Sequence, residues 1–475
     1  MTKLRADTVG QFADVVSVPT YDRAGIGVGI VHFGVGGFHR AHQAMYLDRL
    51  LERGEAREWG ICGVGVLPSD KRMRDVMRDQ DCLYTLSITN PDGTWETRVV
   101  GSIVEYLYAP DDPEAVIEKL ADPRTRIASL TITEGGYNFS PDSDGYDTTS
   151  AFGLIVEALA RRRDRGLVPF TIMSCDNIEG NGHMAQATFT AFARLRDPDL
   201  AEWIDSEGAF PNSMVDRITP ATTADTTVEV AQRYSIDDAW PVVTEPFTQW
   251  VLEDHFTAGR PAYEKVGVQV VDDVAPYELM KLRLLNASHQ AMCYLGYLSG
   301  YRLVHEVARD PDFARFLLRY MNTEATPTLR PVPGVDLDEY KHTLIERFSN
   351  PAIRDTVARL CAESSDRIPK WLLPVVRHQL STGGEMSCAA TVIASWARYA
   401  EGVDEQGNEI EIVDPLRDRL VPLARKQRQD PTAFLTDREV FGDLIDQPVF
   451  VDSYVQALAS LHENGAAATV AALRQ

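Results

Sequence analysis

Over its first half the chain alternates short runs of strand-forming residues with helical stretches, and that alternation leaves few folds open. Gly29-Ile30-Val31-His32-Phe33 leads into a glycine turn, and Ile61-Cys62-Gly63-Val64-Gly65-Val66 follows one helical stretch. Ser129-Leu130-Thr131-Ile132-Thr133 and Phe170-Thr171-Ile172-Met173-Ser174 follow others. Strands joined through helices run parallel with helices on both faces, so the pattern predicts an α/β, doubly wound sheet. Such sheets take ligands at the carboxyl ends of their strands. Residues 84–87 and 96–104, joined by Asn90-Pro91-Asp92-Gly93, read instead as an antiparallel hairpin in or beside the sheet.

The second half changes character. After a last strand-like stretch at 266–271, apolar residues recur at helical spacing through 276–298, 312–321, 336–348, 353–361 and 386–401. A chain of 475 residues exceeds what one core usually serves. We therefore expect a sheet domain over 1–275 and a mostly α-helical domain over 276–475.

The net charge of −23 repels nucleic acid and anionic lipid, and no Lys/Arg-rich run offers a local exception. No stretch approaches the ~20 apolar residues of a membrane span, and the N-terminus has no signal-like apolar run. The six cysteines are widely separated and form no CxxC pair, which reads as reduced, mostly buried thiols. A cytoplasmic protein with a small-molecule partner is the expectation; oligomeric state is left open.

Gly34-Val35-Gly36-Gly37-Phe38-His39-Arg40 lies after an apolar strand and before a helix expected at about 38–51. Gly34 would make the tight turn, and Gly36 would let backbone approach a pyrophosphate. The free N–H groups and dipole at the helix start favour the anion. His39 stands where the GxGxxG pattern has its third glycine, and a turn that merely joins strand to helix would look similar. The context of strand, glycines and helix favours a Rossmann-type dinucleotide turn with Gly34, Gly36, Gly37, Phe38, His39 and Arg40 as cofactor-binding candidates. No acidic residue ends a second strand ~20 residues on. That strand is delayed and runs out at Leu67-Pro68-Ser69-Asp70. Asp70 is therefore the candidate for the adenosine ribose, favouring NAD over NADP because a carboxylate repels a 2′-phosphate; a solvated helix cap is its other reading.

Tyr277-Glu278-Leu279-Met280-Lys281-Leu282-Arg283-Leu284-Leu285-Asn286-Ala287-Ser288-His289 opens the helical half. At ~100° per residue, Lys281, Glu278, His289 and Asn286 fall at about 0°, 60°, 80° and 140°, on one flank of a leucine-rich helix. A partly wet helix face with an i,i+3 Glu–Lys pair would show the same residues. As a set they suit alcohol oxidation, in which a base takes the hydroxyl proton while hydride leaves the same carbon. A lysine, ordinarily near ~10.4, can serve when burial or neighbouring charge lowers it. Amide donors from Asn286 and from Asn177, in Ser174-Cys175-Asp176-Asn177, could hold the developing alkoxide. Asn177 could equally be an ordinary turn residue. Zinc is the rival chemistry: His39 with His42, and His289 with Cys293, each offer two ligands, but catalytic zinc usually takes three. No third is in view, and metal-free chemistry is expected.

These blocks, with Thr131-Ile132-Thr133-Glu134-Gly135-Gly136-Tyr137, Glu346-Arg347-Phe348-Ser349-Asn350-Pro351-Ala352-Ile353 and Asp366-Arg367-Ile368-Pro369-Lys370, resemble the polyol-specific long-chain dehydrogenases over nearly the whole chain. The resemblance implies NAD-dependent oxidation of a sugar alcohol and the reverse ketose reduction, without metal. It implies Lys281 as general base, Asn177 and Asn286 as oxyanion donors, His289 orienting the substrate and Glu278 on a proton path to solvent. Asp216, Arg359 and Lys370 become candidate contacts to other sugar hydroxyls. It also makes His39 in the turn unexceptional. The family's fructuronate and tagaturonate reductases and arabinitol dehydrogenases are similar in the same blocks. A uronate substrate would need cations, for which Arg359, Arg367 and Lys370 are available. A dinucleotide-binding sensor without catalysis is the reading outside enzymology, and the joint presence of Lys281, Asn286 and Asn177 argues against it.

Overall fold

Ile30, Val31 and Phe33 alternate between the two faces of the first strand, and each face meets its own apolar layer. The computed structural model describes residues 1–137 and 145–473, with the backbone alone at Glu134. It divides into two compact units, Met1–Ala275 and Pro276–Gln475.

In the first unit five strands form one sheet: β1 (Val28–Phe33), β2 (Gly60–Gly65), β3 (Ile103–Tyr108), β4 (Ile127–Leu130) and β5 (Thr171–Ser174). Their spatial order is β3-β2-β1-β4-β5, and every pairing is parallel. Val31, Phe33, Val64, Leu130 and Ile172 pack with Val116, Leu120, Leu154, Ile155 and Phe189 on one side. Ile30, Ile61, Ile127 and Met173 pack with Ala44, Leu47, Leu50 and Trp250 on the other. The period-2 alternation is thus used on both faces, as a sheet covered on both sides requires. The chain leaves β1 toward β2 on one side and later returns to β4 on the other. That reversal of direction is the topological switch point at which such sheets bind ligands.

The expected hairpin differs in its second arm. Tyr84–Thr89 does pair antiparallel with Trp95–Val100, and Val242–Thr244 adds a third, parallel strand to them. Residues 103 and 104, however, belong to β3 of the main sheet. The chain breaks at Gly101-Ser102 because side chains from elsewhere take its backbone. Arg23 donates to the carbonyls of Gly101 (3.0 Å) and Ile103 (2.9 Å), and Asp48 accepts the Gly101 N–H (2.9 Å). The last strand is also shorter than expected, Gln269–Val271, with a 3-10 turn at Tyr263–Val266 before it.

The second unit is helical. Ala287–Leu298 is buried on nearly all sides, so it forms a core around which Val357–Cys361 and Ser387–Tyr399 pack. The stretch expected as one helix over 276–298 has three parts: α-helix Ala275–Met280, π-helix Lys281–Asn286 and α-helix Ala287–Leu298. A second π segment, Tyr320–Ala325, follows the helix Pro311–Arg319. The helix expected from 353 begins only at Val357, where the Thr356 hydroxyl accepts the Arg359 N–H (3.3 Å). All six cysteines are buried thiols. Among the described residues no helix is long and apolar enough to cross a membrane.

Candidate active site

β1 delivers the chain into the glycine turn at its carboxyl end. Gly34 has φ +92°, and a Cβ there would stand 2.1 Å from the Thr131 carbonyl oxygen, so only glycine fits. Gly36 is exposed, and a Cβ there would meet nothing closer than Gly34 O at 3.9 Å. Open space beside an exposed backbone is what an approaching pyrophosphate needs. The helix that follows runs Gly37–Ala41, breaks at His42 and resumes over Gln43–Glu52, where one continuous helix is expected from the sequence.

The other turn residues divide. Phe38 is half-buried and stacks on His42, 5.0 Å between ring centroids. His39 is buried and stacks on His32, 3.4 Å between centroids at 12°. Burial, then the neighbouring His32, holds the His39 pKa well below the ordinary value, so it is a neutral packing group. Arg40 is fully buried, with its Nε 3.3 Å from Gly36 O and its guanidinium also donating to Trp240 O. It shapes the turn from behind. His42 Nε2 lies 2.8 Å from Gln249 O, so His39 and His42 face different partners.

Asp70 follows β2. One of its oxygens, Oδ2, accepts the N–H groups of Val66 and Leu67, both at 2.9 Å. The side chain thus caps its own preceding turn and makes no cap to the helix Lys71–Asp79 that it precedes.

β4 and β5 end beside each other, and Asp176 ties their loops together. Its carboxylate accepts the N–H groups of Ile132 (3.2 Å) and Thr133 (2.8 Å), and the Tyr137 hydroxyl lies 2.9 Å from it. Thr133 has φ +69°, a conformation that these bonds hold in place. Asn181 Nδ2 donates to the carbonyls of Asp176 (3.0 Å) and Ser213 (2.6 Å). Asn177, half-buried, is therefore carried on a braced loop at the carboxyl end of β5. Asp216 is buried at the end of the strand Ser213–Asp216.

In the second unit Glu278, Lys281, Asn286 and His289 are 5%, 6%, 6% and 9% exposed. The π segment corrects the helical-wheel expectation. Bonding i→i+5 turns the chain by only roughly 80° per residue, so Asn286 moves from about 140° to about 40° from Lys281, and His289 to about −20°. With Glu278 still near 60°, the four groups span a sector of roughly 80°. His289 packs on Phe348, 4.7 Å between centroids, which gives the Glu346–Ile353 block a role beneath the site. Gln290 donates to Leu360 O at 3.2 Å, fixing the short helix that carries Arg359 against the helix of His289. Arg359 is bound bidentately by Asp355 (2.7 and 2.5 Å), and Arg367 pairs with Glu363 at 3.0 Å. Lys370 is half-buried on the helix Ser364–Trp371.

The parallel sheet with its glycine turn, and the helical unit with its buried Lys/Asn/His/Glu face, define a two-unit Rossmann-type protein of the dehydrogenase kind. The mannitol dehydrogenase Rossmann domain matches residues 28–265 and the mannitol dehydrogenase C-terminal domain matches 273–462. The chain is 45% identical to mannitol 2-dehydrogenase of Phaeosphaeria nodorum, covering 99% of this chain and 85% of that protein. It is 46% identical to a mannitol dehydrogenase of Saccharomyces cerevisiae, over 99% and 97%. Among solved structures it resembles Pseudomonas fluorescens mannitol 2-dehydrogenase in ternary complex with NAD and D-mannitol, at 44% identity, TM-score 0.93 and 99% coverage of both chains. A substrate-free D-sorbitol dehydrogenase is similar at 37% identity and TM-score 0.86, covering 99% of this chain and all of that one. The chain belongs to the mannitol dehydrogenase family.

Proposed function

We propose that the protein catalyses NAD-dependent oxidation of D-mannitol to D-fructose and the reverse reduction. Whole-length likeness to an enzyme solved with NAD and D-mannitol carries this reading, and the sequence blocks resemble those of mannitol 2-dehydrogenase. The open space at Gly36 and the left-handed Gly34 suit the cofactor's pyrophosphate, and Asp70 is assigned to the adenosine ribose. NAD, when bound, supplies the hydride acceptor. Lys281 takes the proton of the C2 hydroxyl, while Asn286 donates a hydrogen bond to the oxygen as it becomes a carbonyl; Asn177 is assigned as a further oxyanion donor. His289 orients the polyol, and Glu278 passes the proton from Lys281 to solvent. Asp216, Arg359 and Lys370 are assigned to the remaining hydroxyls.

The pairing of Arg359 with Asp355 and of Arg367 with Glu363 supports a neutral polyol over a uronate, because two of the three candidate cations already carry a carboxylate and Lys370 is left as the third. The net charge of −23 supports a protein without nucleic-acid or anionic-membrane partners. We assign it to the cytoplasm, and the engagement of His39 and His42 with different neighbours supports metal-free chemistry.

The test is an assay of protein dialysed against a strong chelator, supplied with D-mannitol and either NAD or NADP and followed by NADH or NADPH absorbance. Undiminished turnover with NAD, one fructose per NADH and a lower kcat/KM with NADP are expected. Efficient fructuronate reduction with negligible fructose reduction would move the protein to the uronate branch, and activity restored only by added zinc would overturn the lysine mechanism.

A further inference from the structure

A π segment within an α-helix leaves a mark on the backbone ladder. Where bonding changes from i→i+5 back to i→i+4, the carbonyl at the changeover is the one the helix itself serves least well, and a side chain commonly meets it. In the helix that carries Lys281 the last i→i+5 bond runs from the Ala287 N–H to Leu282 O. The carbonyl at the changeover is therefore that of Arg283. The hydroxyl of Tyr320 donates to it at 3.2 Å.

The donor is well prepared for this. Tyr320 is fully buried, and burial, with the Glu324 carboxylate nearby, holds its phenol well above the ordinary range, so it keeps its proton. The same neighbouring stretch grips residue 283 a second time, since the Arg283 guanidinium donates to Thr328 O at 2.6 Å. Tyr320 also begins the second π segment, Tyr320–Ala325, and that segment is anchored in turn. Its buried Glu324 carboxylate accepts the N–H groups of Cys388 (2.6 Å) and Ala389 (2.8 Å) at the start of the helix Ser387–Tyr399.

We propose that Tyr320 is a positioning residue for the reaction: its hydroxyl pins the π register of the catalytic helix and so keeps Lys281 and Asn286 on one face. The claim rests on the reading of Lys281 as the base. Without the pin the segment relaxes toward ordinary α geometry, and the angle between Lys281 and Asn286 opens by roughly 100°. The proton acceptor and the alkoxide donor then no longer address one oxygen.

Tyr320→Phe removes one oxygen atom and keeps the ring. The expected result is a kcat for mannitol oxidation lower by about tenfold or more, as for a displaced catalytic group. The acidic limb of kcat against pH should shift, because moving Lys281 changes the burial and the neighbours that set its titration. The KM for NAD should change by less than about twofold, and amide hydrogen exchange over residues 284–288 should quicken. Tyr454→Phe sets the baseline, since it removes another fully buried hydroxyl, which donates to Gln427 at 3.3 Å and, among the described residues, makes no hydrogen bond to either π segment. It should leave kcat, its pH limb and that exchange unchanged. A Tyr320→Phe enzyme with wild-type kcat, pH limb and exchange, measured beside an inactive Lys281→Ala enzyme, would overturn the pin while leaving the base in place. A Lys281→Ala enzyme with wild-type kcat would instead overturn the base reading, and the exchange measurement would still decide whether Tyr320 holds the register.

Discussion

His39 occupies the place of a glycine in most dinucleotide turns, and its ring reaches back under the turn to stack on His32. Burial lowers both pKa values, that of His32 to about 3. An unfolded histidine titrates near 6.5, so below that pH the unfolded chain binds protons that the folded one refuses. The stabilising effect of the neutral pair is therefore complete above about pH 6.5 and declines as pH falls toward 3. For His32, held at about 3, the loss between pH 7 and pH 5 is roughly 2 kcal/mol. His39→Phe keeps a flat ring in the stack and removes one titrating group. Urea unfolding at the two pH values should show a smaller loss than in the wild type; an unchanged loss would mean that His39 is protonated in the fold. At this scale the sequence is most legible where a residue is out of place for its surroundings. Lys281 on a leucine-rich helix and Gly34-Val35-Gly36 after a strand stand out in that way. Asp176 and Tyr320 do not, because each acts on backbone brought in from another segment, and nothing near them in sequence marks the partner.

The glycine turn and the π segment are both elements in which a few backbone angles decide what the side chains can do. Gly34 and Gly36 look equivalent in sequence but face opposite constraints. Gly34→Ala places a Cβ at positive φ against Thr131 O and should destabilise the fold by more than about 2 kcal/mol. Gly36 has φ −96° and open space before it, so Gly36→Ala should melt near the wild-type temperature. It should nonetheless weaken NADH binding by about tenfold or more, the equivalent of roughly 1.4 kcal/mol of lost approach. Thermal unfolding and NADH fluorescence titration separate the two; a Gly36→Ala enzyme that binds NADH as tightly as the wild type would remove the pyrophosphate from Gly36. The π segment was not legible, because a wheel drawn at 100° per residue already assumes the α register that tertiary contacts override. The break between Trp95–Val100 and β3 was hidden for a related reason: the strand-forming pattern runs on through Gly101-Ser102, and only Arg23 and Asp48, distant in sequence, divert it.

At the scale of the whole molecule, the change from alternating strands and helices to helices alone marks the passage between Met1–Ala275 and Pro276–Gln475. It is legible because period-2 and period-3.6 patterns are the strongest local signals in a sequence. We assign the cofactor residues to the first unit and the proton chemistry to the second, so the two functions should be separable by mutation. Lys281→Ala is the most direct measurement. The account predicts a kcat for mannitol oxidation lower by ~10²–10⁴-fold, the range for loss of general acid–base catalysis. NADH affinity should be unchanged, and a small primary amine in solution should restore part of the rate. A correctly folded Lys281→Ala enzyme with near wild-type kcat across the pH range would contradict it, leaving the buried polar face as structure alone and His289 as the first group to test for the base.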